Sequence, residues 1–242
     1  GNSRVDYTYN GDGTPAVQDE IVIEDNEGNQ FVWIPVEEIK NKDNTTTTIT
    51  LGRYQFDPSD GTPILKQNAI DYTQAIDPYH QELTSNSGNT AAKNLGDFVN
   101  QTKTNGGYYL GRYEASKGAD NKVKSQYDKE VWNSVTQPNA ATEARRMYSS
   151  SYVDSDLINS YSWDTAIVFI QKYSENRDYS NAEAINVVGR YNSGKVGDKV
   201  CNIHDMASNC YEWSTEHFKD TTKPCVYRGG VRWHQQFYLL PW

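Results

Sequence analysis

The sequence predicts a loop-rich α+β domain, and three observations carry that expectation. Residues 21–36, IVIEDNEGNQFVWIPV, alternate apolar and polar positions around a polar turn, the signature of a β-hairpin. Two later stretches, Asn139–Tyr148 and Ser162–Tyr173, place apolar residues at helical spacing. Hydrophobic residues make up only 36% of the 242-residue chain while aromatics reach 12%, led by 18 Tyr, a balance suited to long loops and a hydrogen-bonding surface. At this length one large domain can bury a core without disulfide staples.

Charge and composition narrow the partners. The formal net charge is -9 and the 23 Lys and Arg residues form no basic run, so no nucleic-acid partner is expected. No stretch approaches the roughly 20 apolar residues of a membrane span, so no membrane insertion by this chain is expected. The three cysteines, Cys201, Cys210 and Cys225, are odd in number and lack the C-x-x-C spacing of a metal site.

Taken in order, residues 1–20 are polar and glycine-containing and read as a linker or leading arm. The hairpin of 21–36 follows, turning at Asp25–Gly28. Ala92, Leu95, Phe98 and Val99 sit at helical spacing and predict a short helix over 90–98. Residues 106–115, GGYYLGRYEA, predict a strand with Tyr109, Gly111 and Tyr113 on one face and Leu110 and Arg112 on the other. Glu114 at its end is expected to be a buried acceptor rather than a general acid, because no partner base lies near it in sequence. Asn139 and Ser162 are the expected caps of the two later helices, with Ala144, Met147 and Tyr148 inward on one and Trp163, Ala166, Ile167 and Ile170 on the other.

The most distinctive stretch is Cys201–Trp213, CNIHDMASNCYEW, followed by VYRGG at Val226–Gly230. With FVWIPV, the strand GGYYLGRYEA and the helix SYSWDTAIVFI, these segments resemble the formylglycine-generating-enzyme-like family, a branch of the C-type-lectin-type fold. The resemblance implies a single domain over 21–242, with two helices packed on small antiparallel sheets. Relative to the family pattern, residues 37–105 read as a decorating insertion, expected to be surface loop.

The chemistry of the central stretch is open between two readings. Calcium takes six to eight oxygens, and Asp205 and Glu212 at i and i+7 with carbonyls between them can wrap one ion; carried over from the family, the ligands would be Asp205, Ser208, Cys210 and Glu212. Alternatively, Asp205 and Asn209 bond turn amides. Cys201, His204 and Cys210 match no zinc framework, His217 has no companion ligand, and no zinc is expected. The family's namesake oxidoreductase holds copper through cysteines after the R-G-G segment, where this chain has none, so neither copper nor enzymatic activity is expected.

The chain also resembles the variable proteins of diversity-generating retroelements, which display a hypervariable C-terminal surface on this fold. That resemblance implies a display protein of a phage virion tail or bacterial cell surface, binding a protein or glycan receptor. The alternatives are an invariant glycan-binding surface protein and the copper oxidoreductase. After Gly230 the sequence VRWHQQFYLLPW is dense in the residue types favoured at interface hot spots. The expected binding residues are Arg232, Trp233, His234, Gln236, Tyr238 and Trp242, with Tyr211 beside them.

Overall fold

A computed structural model describes residues 3–6, 21–74, 80–150, 152–174, 191–218 and 225–229. The chain is α+β, with three helices and several small antiparallel sheets joined by long loops. The expected hairpin forms: β1 (Ser3–Asp6), β2 (Val22–Glu24) and β3 (Gln30–Pro35) lie side by side, with Val22 opposite Val32 and Glu24 opposite Gln30. Its turn is tied by Asp25, whose carboxylate accepts the Glu27 and Asn29 amides at 2.9 and 2.8 Å. Gly28 there takes a φ of 81°, a value that favours glycine.

Residues 37–105 are not a surface decoration. They form two hairpins, β4 (Glu37–Lys40) with β5 (Thr46–Ile49) and β6 (Gly52–Phe56) with β7 (Pro63–Asn68), then the short β8 (His80–Gln81) and helix α1 (Leu95–Asn105). Ile39, Ile49, Leu51, Ala69, Leu95 and Val99 from this segment are all buried in the main core. The polar Thr run and turn residues hide these apolar positions in the sequence, but each hairpin turns one face inward, and burial of that face stabilises it. Helix α1 starts later than the predicted 90–98. Asn94 caps it by accepting the Asp97 amide at 3.0 Å, and Gly106 ends it at a φ of 75°.

Strand β9 (Gly107–Gly111) pairs with β3 from Phe31–Gly111 to Pro35–Gly107, completing the first sheet in the order β1-β2-β3-β9. Tyr108 points into the core and Tyr109 outward, where its ring meets Trp33 at 4.8 Å. After a small ribbon of β10 (Ser116–Lys117) and β11 (Val123–Lys124), helix α2 spans Gln137–Met147. Its cap position is Thr136, not Asn139, because Pro138 fits the first turn, where a missing N–H costs nothing. Gln137 is drawn inward, bonding Thr90 in both directions at 2.8 and 2.9 Å and donating to the Ser214 carbonyl at 2.9 Å.

Helix α3 (Ser160–Ser174) is the centre of the molecule, and every residue from Ser160 to Gln171 is buried. It begins before the expected Ser162; Asn159 takes the capping part by accepting the Ser162 amide at 2.9 Å. The Trp163, Ala166, Ile167 and Ile170 stripe packs inward as predicted, but so do the other faces, because the 37–105 segment covers the side that would otherwise meet water. The short ribbon of β12 (Lys199–Val200) and β13 (Ile203–His204) precedes a three-stranded sheet of order β15-β14-β8, with β14 at Glu212–Phe218 and β15 at Cys225–Arg228. Among the described residues, no helix is long and apolar enough to cross a membrane.

Candidate functional site

The stretch Cys201–Trp213 folds as a compact knot of turns. Cys201, Asn202, Asp205 and Asn209 all take positive φ, between 47° and 66°. Asn and Asp tolerate that region because their short side chains bond locally. Neighbouring loops supply the bonds: Asp205 Oδ2 accepts the Gly194 amide at 2.7 Å, Asn209 Oδ1 accepts the Tyr191 amide at 3.0 Å, and Asp198 Oδ2 accepts the Ser208 hydroxyl at 2.7 Å. The first two are turn-amide bonds of the kind the second reading expects of Asp205 and Asn209.

The expected strand over 106–115 ends at Gly111, and the loop that follows it clamps the knot from the other side. Glu114 accepts the Cys210 amide at 2.8 Å and the Asn209 side-chain amide, which gives it the structural role expected of it. Arg112, two residues earlier, donates to the Asn202 carbonyl and side-chain oxygen, both at 3.1 Å, and to Gln30 at 2.9 Å. His204 stacks on Tyr113 at 4.7 Å, and its Nδ1 is enclosed without a partner. Burial, reinforced by the Arg112 charge, depresses its pKa to about 4, so it is neutral at physiological pH.

Acidic groups crowd this knot. Burial raises Glu114 to about 9, with Asp205 and Asp198 adding repulsion. Burial also lifts Asp205, and lifts Glu212 well above the usual carboxylate range, where the Glu114 charge adds to the effect. Asp205 Oδ1 and Glu212 Oε2 are both enclosed with no hydrogen-bond partner. Glu212 Oε2 lies against Gly229, where an added Cβ would overlap it and would sit 3.4 Å from the Cys210 carbonyl. Of the four expected calcium ligands, the Glu212 carboxylate and the Cys210 carbonyl therefore meet at one place. Half of the Asp205 carboxylate is committed to Gly194; the Ser208 hydroxyl bonds Asp198, which leaves the expected role of its carbonyl untouched. Among the described residues, no three His, Cys, Asp or Glu side chains converge in a metal-holding geometry. None of the three cysteines is in a disulfide.

Beside Glu212 the register of β14 and β15 sets Trp213 opposite Tyr227 and Glu212 opposite Arg228. Tyr211 and Tyr227 are exposed and their rings lie 4.7 Å apart, with Trp213 edge-on to Tyr227 at 5.8 Å and donating to the Val135 carbonyl at 2.8 Å. Tyr211 thus stands on an aromatic platform at the root of the C-terminal segment. The other expected binding residues, Arg232, Trp233, His234, Gln236, Tyr238 and Trp242, lie outside the described residues.

Beneath the platform is a buried ion network that sequence reasoning missed. Arg53 from β6 donates to Asp164 of α3 and Glu216 of β14, both at 3.0 Å, and Arg228 of β15 reaches Glu216 at 2.6 Å and Asp164 at 3.5 Å. Glu82 sits alongside, accepting the Ser160 amide at 2.7 Å and the Thr215 hydroxyl at 2.8 Å. One signal was available in the sequence: Asp164 is the one charged residue between Ser160 and Gln171 of a helix bearing the apolar stripe of Trp163, Ala166, Ile167 and Ile170, and a charge there needs a partner. Comparison of the chain with protein-family models, with curated proteins and with solved structures found no significant match.

Proposed function

We propose that this chain is a ligand- or receptor-binding display module of the C-type-lectin-type, formylglycine-generating-enzyme-like fold, whose C-terminal segment forms the binding surface. The observation that carries the reading is the anchorage of that segment. Arg228 pairs with two carboxylates whose side chains are only 1–2% exposed, and Gly229 then packs against Glu212. A binding segment that leaves a rigid point loses less entropy on engaging a partner. The paired rings of Tyr211 and Tyr227 next to this exit supply large contact area with few torsions to freeze. The proposed partner is a protein or glycan receptor, and the proposed setting is a phage virion tail or a bacterial cell surface.

The test uses a glycan array and whole bacterial cells as probes for the unaltered protein and for Arg232→Ala and Tyr238→Ala. Each substitution is expected to weaken binding by roughly 1–4 kcal/mol with the melting temperature nearly unchanged. If both variants unfold while the folded fraction binds as before, the segment is core and the reading fails. A near-repeat beside the 3′ end of the gene, differing at adenines, would identify the segment as diversified; its absence favours an invariant glycan binder.

A further inference from the structure

A concave site distinct from the Tyr211–Tyr227 platform is lined mostly by the segment 37–105, with Tyr161 and Glu216 completing it. A cleft of about 330 Å³ opens between Tyr72, Leu83 and the start of α1, close to the lower end of small-molecule sites, roughly 300–1,000 Å³. Tyr72, Thr73, Leu83 and Leu95 line both this cleft and a second cavity of about 60 Å³, so the two adjoin. The second cavity is floored by Arg53, Gln81, Glu82, Tyr161 and Glu216. Gly96 fixes one wall: a Cβ there would overlap the Tyr72 hydroxyl, so the tyrosine stands directly against the helix.

The hydrogen-bond inventory of the floor states what would fit. Glu82 is filled by the Ser160 amide, the Ser160 hydroxyl and the Thr215 hydroxyl, and Glu216 by the two arginines. Tyr161 is spent on Gln67, at 2.6 Å. Arg53 uses Nε and Nη2 on Asp164 and Glu216, which leaves Nη1 without a partner among the described residues, and the Gln81 side chain likewise has none. Unused capacity on the floor is therefore one charged donor and one amide, which offers both a donor and an acceptor, and the walls add the Tyr72 and Thr73 hydroxyls and the Gln74 side chain. An anion is disfavoured because Glu82 and Glu216 border the same cavity and outnumber the one arginine there. An apolar ligand would leave Arg53 Nη1 buried and unpaired, which costs binding free energy.

From these complementarities we propose that the cleft binds a neutral, oxygen-rich small ligand, the end of a saccharide, with a hydroxyl or carbonyl oxygen accepting from Arg53 Nη1, a second polar group on Gln81, and the sugar body against Tyr72 and Leu83. Gln81 is half-buried and Leu83 is 46% exposed, so either side chain can be trimmed without opening the core. The experiment titrates N-acetylglucosamine, glucose and acetate at millimolar concentration into the full chain. Binding is read by saturation-transfer NMR, and melting temperature controls for folding.

At least one of the two sugars is expected to give a response that acetate neither gives nor blocks, and Gln81→Ala and Leu83→Ala are each expected to weaken it about tenfold, the loss of one good contact of ~1.4 kcal/mol. The proposal is overturned if neither sugar responds, if acetate competes equally, or if the response survives both cleft variants. A sugar response lost instead in Arg232→Ala would assign it to the C-terminal surface and equally overturn the cleft.

Discussion

Replacing Arg53 by Met tests whether the segment 37–105 is integral to the fold. The Arg53 side chain is 11% exposed, and those of its two carboxylate partners, Asp164 and Glu216, are 2% and 1% exposed. Methionine fills part of the stem volume but leaves Asp164 with only the Tyr54 amide at 2.9 Å and the distant Arg228 contact at 3.5 Å. Breaking a buried pair by removing one member costs roughly 3–5 kcal/mol. Arg228 still neutralises Glu216 at 2.6 Å, which places the expected loss at the lower end, near 3 kcal/mol on that ~3–5 kcal/mol scale.

For a domain of this size each kcal/mol lowers the melting temperature by roughly 2–4 °C, so a fall of about 6–12 °C is expected. Urea titration followed by fluorescence of the six Trp residues measures the free energy directly. The exposed pair Lys93–Asp154, with side chains 44% and 56% exposed, serves as a control, and Lys93→Ala is expected to change stability by less than about 1 kcal/mol. In the double variant Arg53→Met with Asp164→Asn, part of the loss should return, because the stranded charge is gone. A loss below about 1 kcal/mol for Arg53→Met would refute the reasoning, since it would put the pair at the value of a surface contact.

Glu114 makes stability depend on pH in a definite direction. Its folded pKa of about 9 lies above the ordinary 4.5, so between those values the folded state holds a proton that the unfolded state has released. Stability therefore falls as pH rises through that window, by up to about 1.4 kcal/mol per unit from this group. Glu114→Gln should flatten the slope measured by urea titration in chelator; an unchanged slope would remove Glu114 as its source. Calcium offers a separate check: if it sits on the Glu212 carboxylate and Cys210 carbonyl, millimolar ion should raise the melting temperature of the parent protein and not that of Glu212→Gln. No shift in the parent protein would sink the calcium reading.

Local chemistry made several elements legible in the sequence. Asp25 and Gly28 dictate a turn whatever surrounds them, so the hairpin over 21–36 could be placed from alternation and turn residues alone. The helical stripe of Trp163, Ala166, Ile167 and Ile170 likewise located α3. Glu114 was readable as a buried acceptor because no partner base stood near it in sequence, and it accepts from Asn209 and Cys210, although it lies in the loop after β9 and not in the strand.

Only the tertiary structure decided what lies far apart in sequence. Arg53 meets residues more than a hundred positions away, Asp164 and Glu216, and no local pattern encodes which carboxylate a buried guanidinium will find. The core role of 37–105 was hidden for the same reason: Ile39, Ile49 and Leu51 are isolated among threonines and turn residues, and only their common burial against α3 makes them a core. Helix α2 started before the expected Asn139, and Gln137 in its first turn is held by long-range bonds to both Thr90 and Ser214. Local periodicity encodes which backbone conformation is cheap; which faces then find each other depends on the burial of charge and apolar area, and those are properties of the assembled chain.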